Sequence, residues 1–312
     1  MLTAVLFLLS GAIVLAIGGG AAVRGLTRFG RARGVPAIVL GVVLFGIHLE
    51  PLGAALVASG KDQPSIAAGT AIGTMAFLLG IGFAIALLAS ERPVEAPTAA
   101  VTLMPMAGLL LAALAVRDLQ ITRGEGLVMV VAYAAYLLVS FRDQDDPCMR
   151  ALAAEAERGA GERRRLPIPD WLLALCGLAL IWVGATLLVD GGVRILAHSG
   201  LAAGFVGAAI IGSLAAAGQL TIEVLPVRRG ESDLATGNLM GTVAAFSTGV
   251  LGLVALIRPL PLDSSVAVAL IAVAVLYTVV ATVFLARGRA GKVAGATLLV
   301  LFAVWLFVAS RY

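Results

Sequence analysis

The sequence predicts an all-α polytopic membrane protein with ten transmembrane helices arranged as two inverted five-helix repeats. Three observations lead there. Of the 312 residues 61% are hydrophobic and 13% charged, and the mean hydropathy is +1.05, too apolar for a soluble domain of this length. Ten apolar segments of about 20 residues, long enough to cross a hydrocarbon core, succeed one another between charges or Pro and Gly clusters. The glycines of the first half return in the second at a nearly fixed offset.

The segments cover roughly 2 to 23, 36 to 59, 66 to 90, 99 to 116, 125 to 141, 170 to 189, 200 to 225, 234 to 257, 264 to 286 and 293 to 310. Ten spans place both termini on one side. Sixteen of the 22 Lys and Arg residues then fall in one set of loops, among them Arg24, Arg28, Arg92, Arg228 and Arg229. The other set holds only Lys61, Arg117, Arg123, Arg194, Arg258 and Arg311. By the positive-inside rule the first set is cytoplasmic and both termini are outside, in a membrane of the bacterial inner type. The net charge of +4 therefore reports orientation, and no nucleic-acid partner is expected. The first segment has neither a basic leader nor a small-residue cleavage site, so it reads as a retained helix. Cys148 in a charged loop and Cys176 in a span read as free thiols.

The longest polar stretch, Arg142 to Asp170, divides the chain. Residues 1–141 form the first repeat, 142–169 a cytoplasmic linker and 170–312 the second repeat. Ala151 to Arg158 suits a short surface helix. The linker's Asp143-Gln144-Asp145-Asp146 reads as solvated: a magnesium-binding membrane enzyme needs more oxygen ligands and a second cluster, so no enzyme is expected.

The repeat is legible glycine by glycine. At an offset of 166, Gly11, Gly18, Gly25, Gly34, Gly41 and Gly46 meet Gly177, Gly184, Gly191, Gly200, Gly207 and Gly212. At 168, Gly69, Gly73 and Thr74 meet Gly237, Gly241 and Thr242. Each half has an odd number of spans, so the copies insert with opposite orientation. That is the plan of secondary transporters, whose site lies near the midplane between repeats.

The second segment carries a polar interruption, Gly46-Ile47-His48-Leu49-Glu50-Pro51-Leu52-Gly53. Lipid cannot satisfy backbone groups that a proline frees, so such a break belongs where protein or water surrounds it. An ionisable side chain at that depth marks a functional site by default.

Around this break the residues resemble a known family. Val23-Arg24-Gly25, Gly34-Val35, Gly41 and Phe45 to Pro51 resemble the first alpha-repeat of the sodium/calcium exchanger superfamily, "GLT…FGTSxPEL". Ile66 to Phe77 looks like its continuation, "IAxGNxxGSNIFN", and Arg228 to Thr242 is similar to "RRGxxDLAxGNxxGSN". The alpha-repeats would lie at about 36–90 and 200–257. The family places a glutamate after the proline in each repeat, and the two face each other as ion ligands. Here the order is Glu50-Pro51, which puts Pro51 at the first glutamate position, while Gln219 occupies the second. Met75 and Val243 replace the family's ligand amide or carboxylate.

The resemblance implies an ion pathway lined by Glu50, His48, Thr70, Thr74, Gln219, Glu223, Asn238 and Thr242, with Glu50, Gln219 and Glu223 as direct ligands. Gln219 and Glu223, four apart, share a helix face. Calcium takes six to eight oxygens, so this thinner set suits a monovalent cation or a proton better. His48, an imidazole whose unperturbed pKa of about 6.5 lies close to physiological pH, could exchange protons beside Glu50 if the break brings the two together. Thr74 and Thr242 suit close helix contacts equally well. Glu223 falls about 14 Å from its span's midpoint at 1.5 Å per residue, where it could instead be a solvated end residue paired with Arg228 or Arg229. Asp190 reads as an interfacial charge. The expected activity is antiport of a cation (sodium, calcium or proton) against sodium or protons by alternating access, in a lipid bilayer and without a cofactor. The alternative is a member that has lost exchange and serves as a membrane binding or regulatory subunit, or carries another small solute.

Overall fold

A computed structural model describes residues 1–36, 40, 48–142, 153, 157 and 168–311. The linker readings, Asp143 to Asp146, Cys148 and most of Ala151 to Arg158, lie outside the described residues. The protein is mostly helical. Helix α1 (Leu2–Ala32) is succeeded by α2 (Leu49–Gly60), α3 (Pro64–Ala89), α4 (Ala99–Val116) and α5 (Arg123–Arg142). The second half holds α6 (Asp170–Ser199), α7 (Ala203–Gln219) and α8 (Leu220–Arg228). Helix α9 starts as Ser232–Ala244 and ends as Leu251–Ile257, and α10 (Ser264–Arg287) and α11 (Lys292–Ala309) close the chain. Among the described residues six of these helices are long and apolar enough to cross a membrane, and α4 and α7 contain shorter apolar helices.

Two helices run well past their expected ends. Charges closed the first and sixth segments in the sequence, but arginines are good helix formers and α1 continues through Arg24, Arg28 and Arg31. Just beyond each helix lies a left-handed glycine, Gly34 at φ +79° and Gly200 at φ +68°, a conformation that costs glycine nothing. These two glycines are repeat mates.

The α1/α6 pair shows why glycines recur every seven residues. Gly11 meets Leu188, Gly18 meets Ile181 and Gly25 meets Ala174; Gly177 meets Ala22, Gly184 meets Leu15 and Gly191 meets Leu8. None of the six has room for a methyl group. The helices are antiparallel, and shifting both partners by the repeat offset turns each contact of the first trio into one of the second. A local two-fold therefore relates α1 to α6. With no hydrophobic drive between helices in lipid, such close backbone approach supplies the packing. The outer face of α1 carries Leu2, Leu6, Leu9, Ile13 and Ile17, all exposed, which in water would be an unmanaged apolar patch.

The core lies in α3 and α9, whose middle stretches are almost wholly buried. Each is interrupted by a π-helical turn, Leu78–Phe83 in α3 and Ala245–Val250 in α9. These turns are repeat mates to within a residue, and such bulges concentrate at functional sites. Helix α7 crosses α3 through glycines on both sides: Gly69 lies on Gly204, Gly73 on Ala208, Gly207 on Ile66, and Gly212 on Thr70.

Short strand pairs tie loops together. Strands β1 (Val94–Glu95) and β4 (Arg289–Ala290) pair, as do β2 (Gln120–Ile121) and β3 (Leu260–Pro261). Each pair joins loops assigned to one side by the charge count. Lys61 pairs with Asp190 and Arg258 with Asp62, again joining loops of one set and giving Asp190 a defined partner.

Candidate ion pathway

The break lies at His48, not at Pro51. His48 has φ +47°, a region other residues than glycine rarely adopt, and α2 begins immediately after it. Pro51 sits in the first turn of α2, where an N–H has no helical acceptor anyway, so it frees nothing. The strained residue is the histidine. Such strain persists only where surroundings over-determine it, and here they do: His48 is buried, its Nε2 lies 2.9 Å from Thr242 Oγ1, and its ring stacks on Phe246 at 6.0 Å. A first-half residue is thereby fastened to α9 of the second half.

Glu50 goes elsewhere. It occupies the first turn of α2, half-buried, and its carboxyl lies directly against Gly19 of α1. The break does not bring His48 and Glu50 together: one side chain is seated on α9 and the other on α1. Residues two apart leave a helix in different directions, and the turn at His48 does not undo that.

Glu223 is also relocated. It is wholly buried, accepts a 2.7 Å hydrogen bond from Asn238 Nδ2, and leaves Oε2 without a partner. The solvated end residue paired with Arg228 or Arg229 is thus ruled out by geometry. Glu223 lies off the straight count from Gly200 because α7 ends in a 3₁₀ turn at Ala217–Gln219 before α8 begins, and α3 packs over the junction. A methyl on Gly82, in the π turn of α3, would lie 3.4 Å from Glu223 Cγ. Gln219 is 5% exposed and its Oε1 is likewise unpartnered. Two buried acceptor oxygens therefore stand one helical turn apart with no donor among the described residues, a place that a cation, a proton or water would satisfy.

Thr70 and Thr74 are buried, but each hydroxyl donates to its own helix, Thr70 to Ile66 O at 2.8 Å and Thr74 to Thr70 O at 2.9 Å. Their oxygens keep lone pairs and no free proton. Thr242, repeat mate of Thr74, bonds His48 instead. Met75 and Val243 are fully buried and apolar. Among the described residues no three His, Cys, Asp or Glu side chains gather as a metal cluster. The sequence reading missed Gly19 and Phe246; a signal for the first was present, since in Gly18-Gly19-Gly20 only Gly18 belongs to the seven-residue row.

Residues 3–142 and 170–311 match the sodium/calcium exchanger protein family. The chain is 31% identical over 251 residues to the inner membrane protein YrbG of Escherichia coli (strain K12), covering 75% of this chain and 73% of that one. It is 27% identical over 283 residues to CaxA of Alkalimonas amylolytica, a proposed antiporter, covering 86% and 85%. In fold it resembles the H+/Ca2+ exchanger CAX, with a TM-score of 0.73 at 14% identity over 99% of this chain and 85% of that one. It also resembles the sodium-calcium exchanger NCX_Mj, at 0.59 and 19% over 96% and 97%. The matched residues flank the linker on both sides and take in the strained His48, Glu50 and Glu223, so this multi-pass membrane protein belongs to the sodium/calcium exchanger family.

Proposed function

We propose that the protein is a secondary active cation antiporter, built as two inverted five-helix repeats joined by a cytoplasmic linker, with both termini outside. The observation that carries this reading is the pair of glutamates enclosed between helices, Glu50 against α1 and Glu223 with one oxygen unpartnered. The Asn238 amide that holds Glu223 carries no charge, and a bound cation or a proton would balance that carboxylate. Glu50 is the principal carrier, with Gln219, Glu223 and Asn238 offering oxygens from the second repeat. Two cations competing for one carboxylate are all that coupling requires. The ligand set is poorer in carboxylates than calcium favours, and sodium or protons fit it better.

The named relatives support antiport in kind, CAX being an H+/Ca2+ exchanger and NCX_Mj a sodium-calcium exchanger. The test is a matrix of opposed gradients in proteoliposomes containing the full chain. An outward gradient of sodium or protons is expected to drive uptake of the other cation or of calcium. Pro51 and Gln219 at the family's glutamate positions favour a second reading, a member that binds without exchanging. A cation that raises the melting temperature but moves down no gradient supports that second reading and overturns the first.

A further inference from the structure

The carboxyl of Glu50 occupies a place that one missing methyl group provides. Gly18 is explained by the α6 contact, where a methyl would strike Ile181. Gly19 is off that row and buried, and the three nearest atoms to a methyl placed on it all belong to the Glu50 side chain. The second half shows the complement. At the offset of 166 the repeat mate of Gly19 is Ala185, fully buried; at the offset of 168, which also pairs Pro51 with Gln219, the mate of Glu50 is Gly218, beside which a methyl would meet nothing within 4 Å. The half that has the acid lacks the methyl, and the half that has the methyl lacks the acid.

We propose that Gly19 is a positioning residue, which sets how far the Glu50 carboxylate reaches toward α1 and hence where it meets the cation. This rests on the reading of Glu50 as the cation-carrying group. A methyl at position 19 strikes the far end of a flexible side chain, so the glutamate moves before the backbone does. The α1/α6 seam is untouched, and the consequence falls on the cation.

The test uses the full-length protein and the variants Gly19→Ala, Glu50→Asp and their combination. Melting in detergent without added cation reads the steric pairing alone. Gly19→Ala lowers the midpoint, and Glu50→Asp, one methylene shorter, recovers at least half of that loss in the double variant; additive effects overturn the proposal. Flux in proteoliposomes reads the function: Gly19→Ala raises the half-saturating cation concentration about tenfold or more, a misplacement of about 1 Å costing up to about 100-fold, with a smaller change in maximal rate. An unchanged half-saturation overturns the positioning role even where melting shows the pairing. Gly60→Ala, a site with open space around it, serves as the control. If Gly19→Ala fails to accumulate, rescue of accumulation by Glu50→Asp supports the proposal and absence of rescue overturns it. A wild-type protein that moves no cation contradicts the transport reading instead, while the melting comparison still decides the pairing.

Discussion

Asn238 donates its side-chain amide to Glu223 at 2.7 Å, and both residues are buried between α8 and α9. The bond joins consecutive helices of the second half just where Gln219 leaves a second acceptor unpartnered. Removing the donor strands a buried carboxyl group. Asn238→Ala is therefore expected to destabilise the protein by about 1–3 kcal/mol, read as a lower melting midpoint in detergent. Glu223→Gln, which keeps a carbonyl oxygen for Asn238, should melt closer to wild type than Asn238→Ala does; the reverse order would show that the bond is not what holds Glu223.

The α1/α6 seam makes a symmetry prediction. Gly11 and Gly177 are repeat mates, and a methyl on either runs into the partner helix backbone. Gly11→Ala and Gly177→Ala should each cost about 1–3 kcal/mol and agree with each other within error in chemical or thermal unfolding. A cost at one site and none at the other would contradict the two-fold relation of these helices.

Across the bundle, Thr242 holds His48 through one hydrogen bond of 2.9 Å. Thr242→Val keeps the shape and removes the hydroxyl, so it should cost about 1 kcal/mol. Thr74→Val, at the mate position, loses only a bond within its own helix, and its melting midpoint should fall less.

On the surface, Lys61 pairs with Asp190 across from α2 to α6, with both side chains about a third exposed. Pairs of this kind contribute roughly 0.2–1 kcal/mol and weaken with salt. A double-mutant cycle with Lys61→Met and Asp190→Asn should give a coupling in that range at low ionic strength that shrinks at high salt. A coupling unaffected by salt would mean that the pair is shielded from water.

Several of these features are legible in the sequence. The apolar segments mark the helices, and Gly69, Gly73, Gly207 and Gly212, each one of a repeated pair in the sequence, all lie where α3 and α7 cross. The features that the residues could not reveal are set by tertiary packing. Arg24, Arg28 and Arg31 read as the end of a span because they are charged, yet charge does not end a helix and Gly34 does. Pro51 reads as the break, yet a proline in a first turn breaks nothing and His48 takes the strained conformation. Glu223 reads as reaching the interface when its span is counted as straight; the 3₁₀ turn before Leu220 and the packing of α3 over it are invisible in a linear count. Gly19 sits in plain view between two other glycines, with no partner in the sequence to explain it.

If Glu50 carries the cation, the most direct measurement is gradient-driven cation flux in proteoliposomes with Glu50→Gln, which keeps the size of the side chain against Gly19 and removes its charge. Coupled flux is expected to be lost while the melting midpoint stays within a few degrees of wild type. Coupled flux at the wild-type rate in a folded Glu50→Gln protein would contradict that role.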